Sequence, residues 1–316
     1  MAVTPLILVT NPAAPSHNTG DGHPESSDRL HAIMDVLRGA EFADIPRFEA
    51  PSATTADLRL AHSDDHIMAV ENAIPDDALA IIGGDTVLSP DSLAAALRGV
   101  GGGLLAVQQV MQGQARRAFV LTRPPGHHAG RNRISGFCLF NTIAIAALAA
   151  RAKYGAARVA IVDFDVHHGD GTQDIVWNQQ DVFFSSLHQE GIYPHTGLLT
   201  DRGAFNTILN IPLPAGTSGT DFLARITNDI IPRLDLFRPD IILVSAGFDA
   251  HVMDPLGGLA LTTEDYRDIM RLLCDTADRL CDGRLVAVLE GGYNLSALAE
   301  SVKVCVAVMA DIRSAQ

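Results

Sequence analysis

The feature that most constrains this chain of 316 residues is a regular alternation of short apolar runs with longer helix-like segments. Runs rich in Val, Ile, Leu and Ala recur along the chain, most regularly from residue 117 onward. Strands that alternate with helices in this way are typical of βαβ units and a parallel sheet. We therefore predict an α/β fold with a central, mainly parallel sheet flanked by helices. No linker or repeat divides the sequence, so we expect a single domain over residues 1–316.

The predicted strands cover residues 6–10, 117–122, 158–163, 182–187, 207–213, 240–245 and 285–289. Helices are predicted at 63–72, 140–154, near 172–177, and at 220–236, 263–280 and 296–312. A further helix is expected to open at Ser89-Pro90 and to continue to about Gly113. It contains three consecutive glycines at 101–103. A dinucleotide-binding glycine motif follows a strand and opens a helix, so we attribute these glycines to close helix packing.

Charge and cysteine usage exclude several classes of protein. Lys and Arg number 23 against 37 Asp and Glu, and this net charge of −14 disfavours nucleic-acid binding. The four cysteines form no CxxC pair, which argues against a zinc ribbon or a thioredoxin-like site. We find no stretch of membrane-spanning length, and the first apolar run lacks the basic flank of a signal peptide. We expect a cytoplasmic protein without a nucleic-acid or membrane partner, and a homo-oligomer is compatible with the sequence.

Five of the apolar runs lead directly into turns that are rich in His, Asp and Tyr. These turns lie at residues 123–129, 163–171, 186–188, 246–249 and 290–294. The carboxyl ends of parallel strands meet at one edge of a sheet, and ligands of open α/β sheets bind there. The sequence therefore predicts an active site at this edge, with metal and acid–base chemistry.

The strongest metal signal is the run Asp163-x-Asp165-x-His167 at the end of a strand. Buried carboxylates are costly without a partner, and a divalent cation would supply one. Catalytic zinc usually takes three protein ligands. Asp165 and His167 supply two, and Asp249, after another strand, is the best candidate for the third. Helix capping or turn formation is the alternative for each Asp taken alone.

Proton transfer is predicted for the pair His127-His128, because imidazole titrates near neutrality. Asp163 and Asp170 are not needed as metal ligands and are available to orient the two rings. Tyr293 follows two glycines that let the backbone turn sharply. Its phenol is a candidate hydrogen-bond donor to a developing oxyanion, with simple packing as the alternative.

Six segments resemble the zinc-dependent histone deacetylase superfamily: RPPGHHAG, GFCLFN, VDFDVHHGDG, SLH, SAGFDAHVMDPLGG and LEGGYNL. That superfamily includes acetylpolyamine amidohydrolases and bacterial deacetylase-like amidohydrolases. The match runs from His23 to Tyr293, and RPPGHHA and DPLGG look more like the class II branch. The resemblance implies an arginase/deacetylase fold. It also implies hydrolysis of an acylated lysine in a protein or peptide, or of an acylated small amine.

The resemblance also implies individual roles. One zinc ion would be held by Asp165, His167 and Asp249. His128, oriented by Asp170, would act as general base and then as general acid. His127, oriented by Asp163, would act as its electrostatic partner. Tyr293 would donate a hydrogen bond to the oxyanion. Gly136 would accept a hydrogen bond from the substrate amide, and Phe137 and Tyr193 would wall the acyl-lysine channel. Leu256 and Gly292 are also expected to contact substrate. A structural potassium ion would sit against Asp163, Asp165, His167, Ser186 and Leu187.

Two residues depart from the family pattern. His195 stands near the channel mouth where Gly is common, so it is expected to narrow or polarise the entrance. Leu256 is apolar where some polyamine-selective relatives carry an acidic residue, and this weakens the case for a polyamine substrate.

Three other functions remain as alternatives. An acetylpolyamine amidohydrolase would use the same chemistry. A ureohydrolase-like enzyme would need a D-x-H-x-D run for two manganese ions, but Gly169 stands two residues after His167. A non-catalytic acyl-lysine binder would need no proton-transferring histidines.

Overall fold

The computed structural model describes residues 3–312. The strands are β1 (Thr4–Thr10), β2 (Arg47–Glu49), β3 (Ala80–Ile82), β4 (Thr86–Leu88), β5 (Ala115–Leu121), β6 (Val159–Asp163), β7 (Val182–Gln189), β8 (Ile208–Leu213), β9 (Ile241–Ala246) and β10 (Leu285–Leu289). The α-helices are α1 (Asp28–Val36), α2 (Thr55–Leu58), α3 (Asp64–Ala73), α4 (Ser92–Met111), α5 (Thr142–Tyr154), α6 (Asp170–Val176), α7 (Gly219–Arg225), α8 (Ile231–Phe237), α9 (Thr263–Cys281) and α10 (Leu295–Met309).

Eight of these strands form one sheet in the order β2-β1-β5-β10-β9-β6-β7-β8. Every neighbouring pair in this sheet is parallel, so the predicted fold class is confirmed. The central strands β6, β9 and β10 are buried along their whole length, which explains why they read as continuous runs of Val, Ile, Leu and Ala. β3 and β4 form a separate antiparallel hairpin.

Helices cover both faces of the sheet, and alternate residues of β5 show how the two cores are separated. Phe119 belongs to the core on the side of α1, α9 and α10, whereas Val120 belongs to the core on the side of α4 and α5. Successive side chains of a strand point to opposite faces, so one strand feeds both cores.

Most predicted elements are confirmed within a few residues, but two helices differ. The helix expected to open at Ser89-Pro90 begins at Ser92. The N–H of Ser89 donates to Oγ of Ser92 at 2.7 Å, and this contact forms a turn before the helix. The helix predicted at 220–236 is divided by a π-helical turn, Ile226–Ile230. Pro232 follows in the first turn of α8 and has no N–H to donate, which accounts for the change in hydrogen-bond register.

The three glycines inside α4 are explained by packing, as predicted. A Cβ on Gly101 would lie 1.8 Å from the carbonyl oxygen of Pro51, and one on Gly103 would lie 2.8 Å from Cγ2 of Thr142. By length and composition α4 is apolar enough to cross a membrane, so the expectation that no stretch reaches that length was wrong. More than half of this helix is buried within the protein, and packing between the sheet and α5 accounts for its composition.

The sheet order decides where the functional turns meet. Four of the five predicted turns follow β5, β10, β9 and β6, whereas residues 186–188, predicted as a turn, lie within the last part of β7. These five strands are consecutive neighbours in the sheet although they are scattered along the chain. Their polar side chains therefore converge at one edge.

Candidate active site

The three predicted metal ligands lie together at the carboxyl edge of the sheet. The ligand atoms of Asp165, His167 and Asp249 all lie within 4.8 Å of one another. Nδ1 of His167 is 3.1 Å from Oδ1 of Asp165 and 3.1 Å from Oδ2 of Asp249. Both carboxylates are fully buried, and the imidazole is 9% exposed. Within residues 3–312 this is the group of His, Cys, Asp and Glu side chains that is close enough to share an ion.

Backbone hydrogen bonds hold this arrangement. β6 ends at Asp163, so Asp165 and His167 lie in a bend beyond the strand. The N–H of His167 donates to Oδ1 of Asp165 at 2.9 Å, and the N–H of Val166 donates to Oδ1 of Asp249 at 2.8 Å. The bend therefore sets the geometry of the ligands in place of strand periodicity.

Two glycines make room for the ligand carboxylates. A Cβ on Gly247 would lie 2.0 Å from Oδ2 of Asp165, and one on Gly291 would lie 2.1 Å from Oδ2 of Asp249. The N–H of Gly291 also donates to Oδ2 of Asp165 at 2.8 Å. Any side chain at either position would displace a carboxylate.

Without an ion, the candidate ligand side chains favour protonation states that differ from those needed to bind a metal. Burial, and then the Asp165 carboxylate, raise the pKa of Asp249 to about 7. Burial opposes protonation of His167, but its hydrogen bonds to Asp165 and Asp249 outweigh burial and raise its pKa to about 10. A divalent cation resolves this conflict, because it favours ionised carboxylates and binds imidazole in its neutral form. The donor set therefore fits a metal ion.

The histidine pair lies beside the three ligands, and each ring has its own carboxylate. Nδ1 of His127 is 3.0 Å from Oδ2 of Asp163, and Nδ1 of His128 is 2.7 Å from Oδ1 of Asp170. The ring centroids of the two histidines are 4.0 Å apart. The structure therefore contains the two His–Asp contacts that the sequence predicted.

The two histidines have opposite protonation preferences. Burial would lower the pKa of His127, but Asp165 and Asp163 outweigh it and raise the pKa well above its usual range. Burial and then the charge of His127 lower the pKa of His128 to about 4, although Asp170 opposes them. One ring is thus favoured as a cation and its neighbour as a neutral base.

A cavity of about 270 Å³ leads to these groups. It is lined by Asp85, His128, Gly136, Phe137, His167, Ile192, Tyr193, Leu256 and Tyr293. The rings of Phe137 and Tyr293 are 6.2 Å apart across it, and Tyr193 lies 5.1 Å from His128. Four of the five predicted substrate contacts, Gly136, Phe137, Tyr193 and Leu256, therefore line the cavity.

Tyr293 is held from two sides. Its N–H donates to Oδ2 of Asp254 at 2.7 Å, and the guanidinium of Arg29 lies 5.2 Å from the centroid of its ring. Burial and then Asp249 raise the pKa of Tyr293 well above its usual range. The phenol therefore remains a protonated donor at neutral pH.

A family comparison agrees with this geometry. The model of the histone deacetylase domain matches residues 23–309. The chain belongs to the histone deacetylase family. Among its relatives, rice (Oryza sativa subsp. japonica) "Histone deacetylase 10, chloroplastic" is 40% identical over 94% of this chain and 71% of the relative. "Histone deacetylase-like amidohydrolase" of Pseudomonas aeruginosa is 38% identical over 90% of this chain and 75% of that protein. The crystal structure of the HDA15 HD domain superposes with a TM-score of 0.93 and 32% identity, covering 98% of this chain and 89% of that one.

Three expectations drawn from the histone deacetylase resemblance look different in the structure. Gly292 is absent from the cavity lining, and its carbonyl accepts a hydrogen bond from Nε of Arg29 at 2.7 Å. His195 also lies outside that lining and instead borders a separate cavity of about 440 Å³ together with Leu198. The expectation that His195 narrows or polarises the channel entrance stays a prediction. The carbonyl of Gly136, expected to accept from substrate, lies 3.1 Å from Sγ of Cys138.

The positions expected around potassium include direct neighbours on two adjacent strands. Asp163 and Ser186 are register partners on β6 and β7. Ser186 and Leu187 are fully buried, and Oγ of Ser186 lies 2.9 Å from Nδ1 of His188. The potassium site stays a prediction.

Sequence reasoning missed three residues that touch the site. Both carboxylate oxygens of Asp85 accept the N–H of Gly136, each at 3.0 Å. Arg133 pairs with Oδ2 of Asp170. Glu290 is fully buried at the end of β10 and accepts from the backbone of His127. Glu290 could have been found, because it stands in the same turn as Tyr293, whereas Asp85 and Arg133 belong to no recognisable motif.

Proposed function

We propose that this member of the histone deacetylase family is a zinc-dependent amidohydrolase that removes the acyl group from acyl-lysine or a related acylated amine. The observation that carries the proposal is a convergence at the floor of one cavity. A neutral, carboxylate-anchored imidazole, His128, lines that cavity together with His167 of the candidate metal site.

Asp165, His167 and Asp249 would hold the zinc ion, since one nitrogen and two carboxylates are donors that zinc accepts. Three protein ligands are the usual number at catalytic zinc sites, where a position is left for water or substrate. When bound, zinc supplies Lewis-acid chemistry, which polarises a carbonyl and makes water easier to deprotonate.

The histidine pair would move the proton. Nδ1 of His128 is fixed by Asp170, so Nε2 is the nitrogen that accepts a proton from the attacking water and later returns it to the leaving amine. His127, favoured as a cation beside Asp163, contributes positive charge next to the reacting centre. The phenol of Tyr293 donates to the oxygen on which negative charge develops.

The cavity walls support an alkyl-amine substrate. Phe137 and Tyr193 present aromatic surfaces on which a methylene chain such as that of lysine can pack. Leu256 at the same cavity offers no charge for the remote amine of a polyamine, and the carboxylate of Asp85 in that lining already accepts the N–H of Gly136. Both observations favour acyl-lysine over an acetylpolyamine. A structural potassium ion would bind at the positions given above. We also propose that the protein is cytoplasmic.

An activity panel tests the proposal. The purified protein is assayed on an acetyl-lysine peptide, on longer acyl-lysine peptides and on an acetylpolyamine, before and after chelation and after zinc is added back. We expect hydrolysis of the peptides that chelation abolishes and zinc restores. Zinc-loaded protein that cleaves none of them would contradict the proposal. A content of two manganese ions per chain would favour a ureohydrolase-like enzyme.

A further inference from the structure

Glu290 is a buried acid that the proposed mechanism does not use. It is fully buried, and it lies neither in the cavity lining nor among the three candidate metal ligands. Burying a carboxyl group is costly unless it makes specific hydrogen bonds. A carboxyl group at the end of β10 must therefore make hydrogen bonds that an apolar side chain in the same place could not make.

The carboxylate of Glu290 reaches the turn that carries the catalytic histidines. Its Oε2 accepts the N–H of Gly126 at 2.7 Å and the N–H of His127 at 3.1 Å. Among the described residues, no backbone carbonyl accepts either N–H. The two residues before Gly126 are prolines, which have no N–H and therefore donate no backbone hydrogen bond in this turn.

Other contacts hold the carbonyl and the side chain of His127 in this turn. The carbonyl of His127 accepts from the N–H of Thr172 at 3.0 Å, and its ring is anchored by Asp163. A Cβ on Gly126 would lie 2.8 Å from the backbone nitrogen of Thr142, so the turn is pressed against the start of α5. The N–H of Ala129 also donates to the carbonyl of Gly126 at 3.0 Å, whereas the N–H groups of Gly126 and His127 are held by Glu290.

Glu290 is itself held firmly. Nη2 of Arg29 donates to the carbonyl of Glu290 at 2.5 Å, and the next residue, Gly291, donates its N–H to Asp165. One short turn therefore contacts a candidate zinc ligand through its backbone and the histidine turn through a side chain.

We propose that Glu290 is a positioning residue that orients the His127–His128 turn by accepting two backbone hydrogen bonds, and that its role depends on the acceptor oxygen and not on its charge. The inference rests on the proposed function, since it concerns how the same site holds its proton-transferring rings. Burial raises the pKa of Glu290 to about 7 against the opposing effect of His127. A carboxyl group in either protonation state keeps an oxygen that can face the two N–H groups.

Three substitutions separate the acceptor from the charge. Glu290→Gln keeps an acceptor oxygen at the same reach and removes the charge. Glu290→Asp keeps the charge but withdraws the oxygen by one methylene. Glu290→Leu removes both. Leu289→Ala is the matched control, because Leu289 is a buried neighbour on β10 whose side chain belongs to the core.

Each variant is measured for kcat and KM on the acetyl-lysine peptide, for zinc content, and for backbone hydrogen exchange over residues 123–129. We expect Glu290→Leu and Glu290→Asp to lower kcat by about 10- to 100-fold, because small displacements of catalytic groups have effects of this size. KM and zinc content should stay near wild type, and exchange at residues 126 and 127 should accelerate. Glu290→Gln should retain kcat within roughly threefold and normal exchange, as expected when the acceptor is conserved. Leu289→Ala should lower Tm and leave kcat unchanged.

The opposite ranking would overturn the inference: an active Glu290→Asp beside an impaired Glu290→Gln would assign the effect to charge. Unchanged kcat and exchange in Glu290→Leu would remove the positioning role altogether. If Glu290→Leu does not fold, the Gln and Asp variants still decide between the two. If the wild-type protein cleaves no acyl amide, the proposed function fails, whereas the exchange measurement still tests the Glu290 contact.

Discussion

Oδ1 of Asp170 lies 2.7 Å from Nδ1 of His128, while the other oxygen of the same carboxylate pairs with Arg133. The carboxylate is 7% exposed, so this contact is largely shielded from solvent. It leaves Nε2 as the nitrogen available to substrate and water, and the tautomer of His128 follows from it.

Replacement of His128 tests the proton-transfer role directly. His128→Ala should nearly abolish hydrolysis of an acetyl-lysine peptide, because general acid–base catalysis typically contributes about 10²- to 10⁴-fold. Zinc content should remain stoichiometric, since His128 is not among the candidate ligands. A variant that turns over at the wild-type rate would move the base to another residue.

Asp170→Asn should lower kcat by at least about 10- to 100-fold, the range seen when carboxylates that orient metal-bound histidines are replaced. An amide can still hydrogen-bond Nδ1, but it cannot offset positive charge on the ring. The comparison of kcat with zinc content checks this prediction, and normal turnover would show that the 2.7 Å contact is dispensable.

Tyr293→Phe should lower kcat by on the order of 10²-fold or more with little change in KM, by analogy with other oxyanion donors. The ring and its packing against Arg29 are conserved in this variant, so the loss reports the phenol oxygen. Steady-state kinetics at saturating peptide make the measurement. Unchanged turnover would show that Tyr293 is only a packing residue and does not donate to the oxyanion.

Asp249→Ala should release zinc, because it removes one of the three candidate ligands. Metal analysis of the purified variant checks this, with Asp170→Asn as the matched control, a buried aspartate outside the ligand group. We expect zinc in the control and little in Asp249→Ala. A stoichiometric zinc content in Asp249→Ala would refute its assignment as a ligand.

A buried histidine away from the candidate metal site predicts how stability depends on pH. Nδ1 of His62 donates to the carbonyl of Gly130, and its Nε2 accepts the N–H of Asn141, both at 2.9 Å. Burial, and then the charge of His66, lower the pKa of His62 from 6.5 to about 3. Below pH 6.5 the unfolded chain takes up a proton that the folded one refuses, so stability falls as pH drops from 6.5 toward 3.

The expected slope from this one group is about 1.4 kcal/mol per pH unit. Urea unfolding at a series of pH values measures it, and His62→Gln is the control that cannot titrate. The variant should show a shallower loss of stability with acidification. Parallel curves for the two proteins would show that His62 does not contribute.

The local sequence was sufficient for the strands and for the groups that follow them. Strand β10 was predicted at residues 285–289, where the structure has it, because a buried parallel strand must be apolar throughout. The Asp165/His167 pair was equally visible, because its members are two residues apart. Asp249 could be joined to them because both turns follow strands of a parallel sheet, and parallel strands end at the same edge.

Only the tertiary structure decided the strand order and the contacts that depend on it. β10 lies between β5 and β9, which brings Glu290 to Gly126 across 164 residues of sequence. Asp85 reaches Gly136 across 51 residues from a short hairpin, and no local pattern of residues predicts that contact. Periodicity reports the environment of each segment along its own axis, whereas these contacts depend on how segments are placed against one another, and that placement is set by packing of the whole chain.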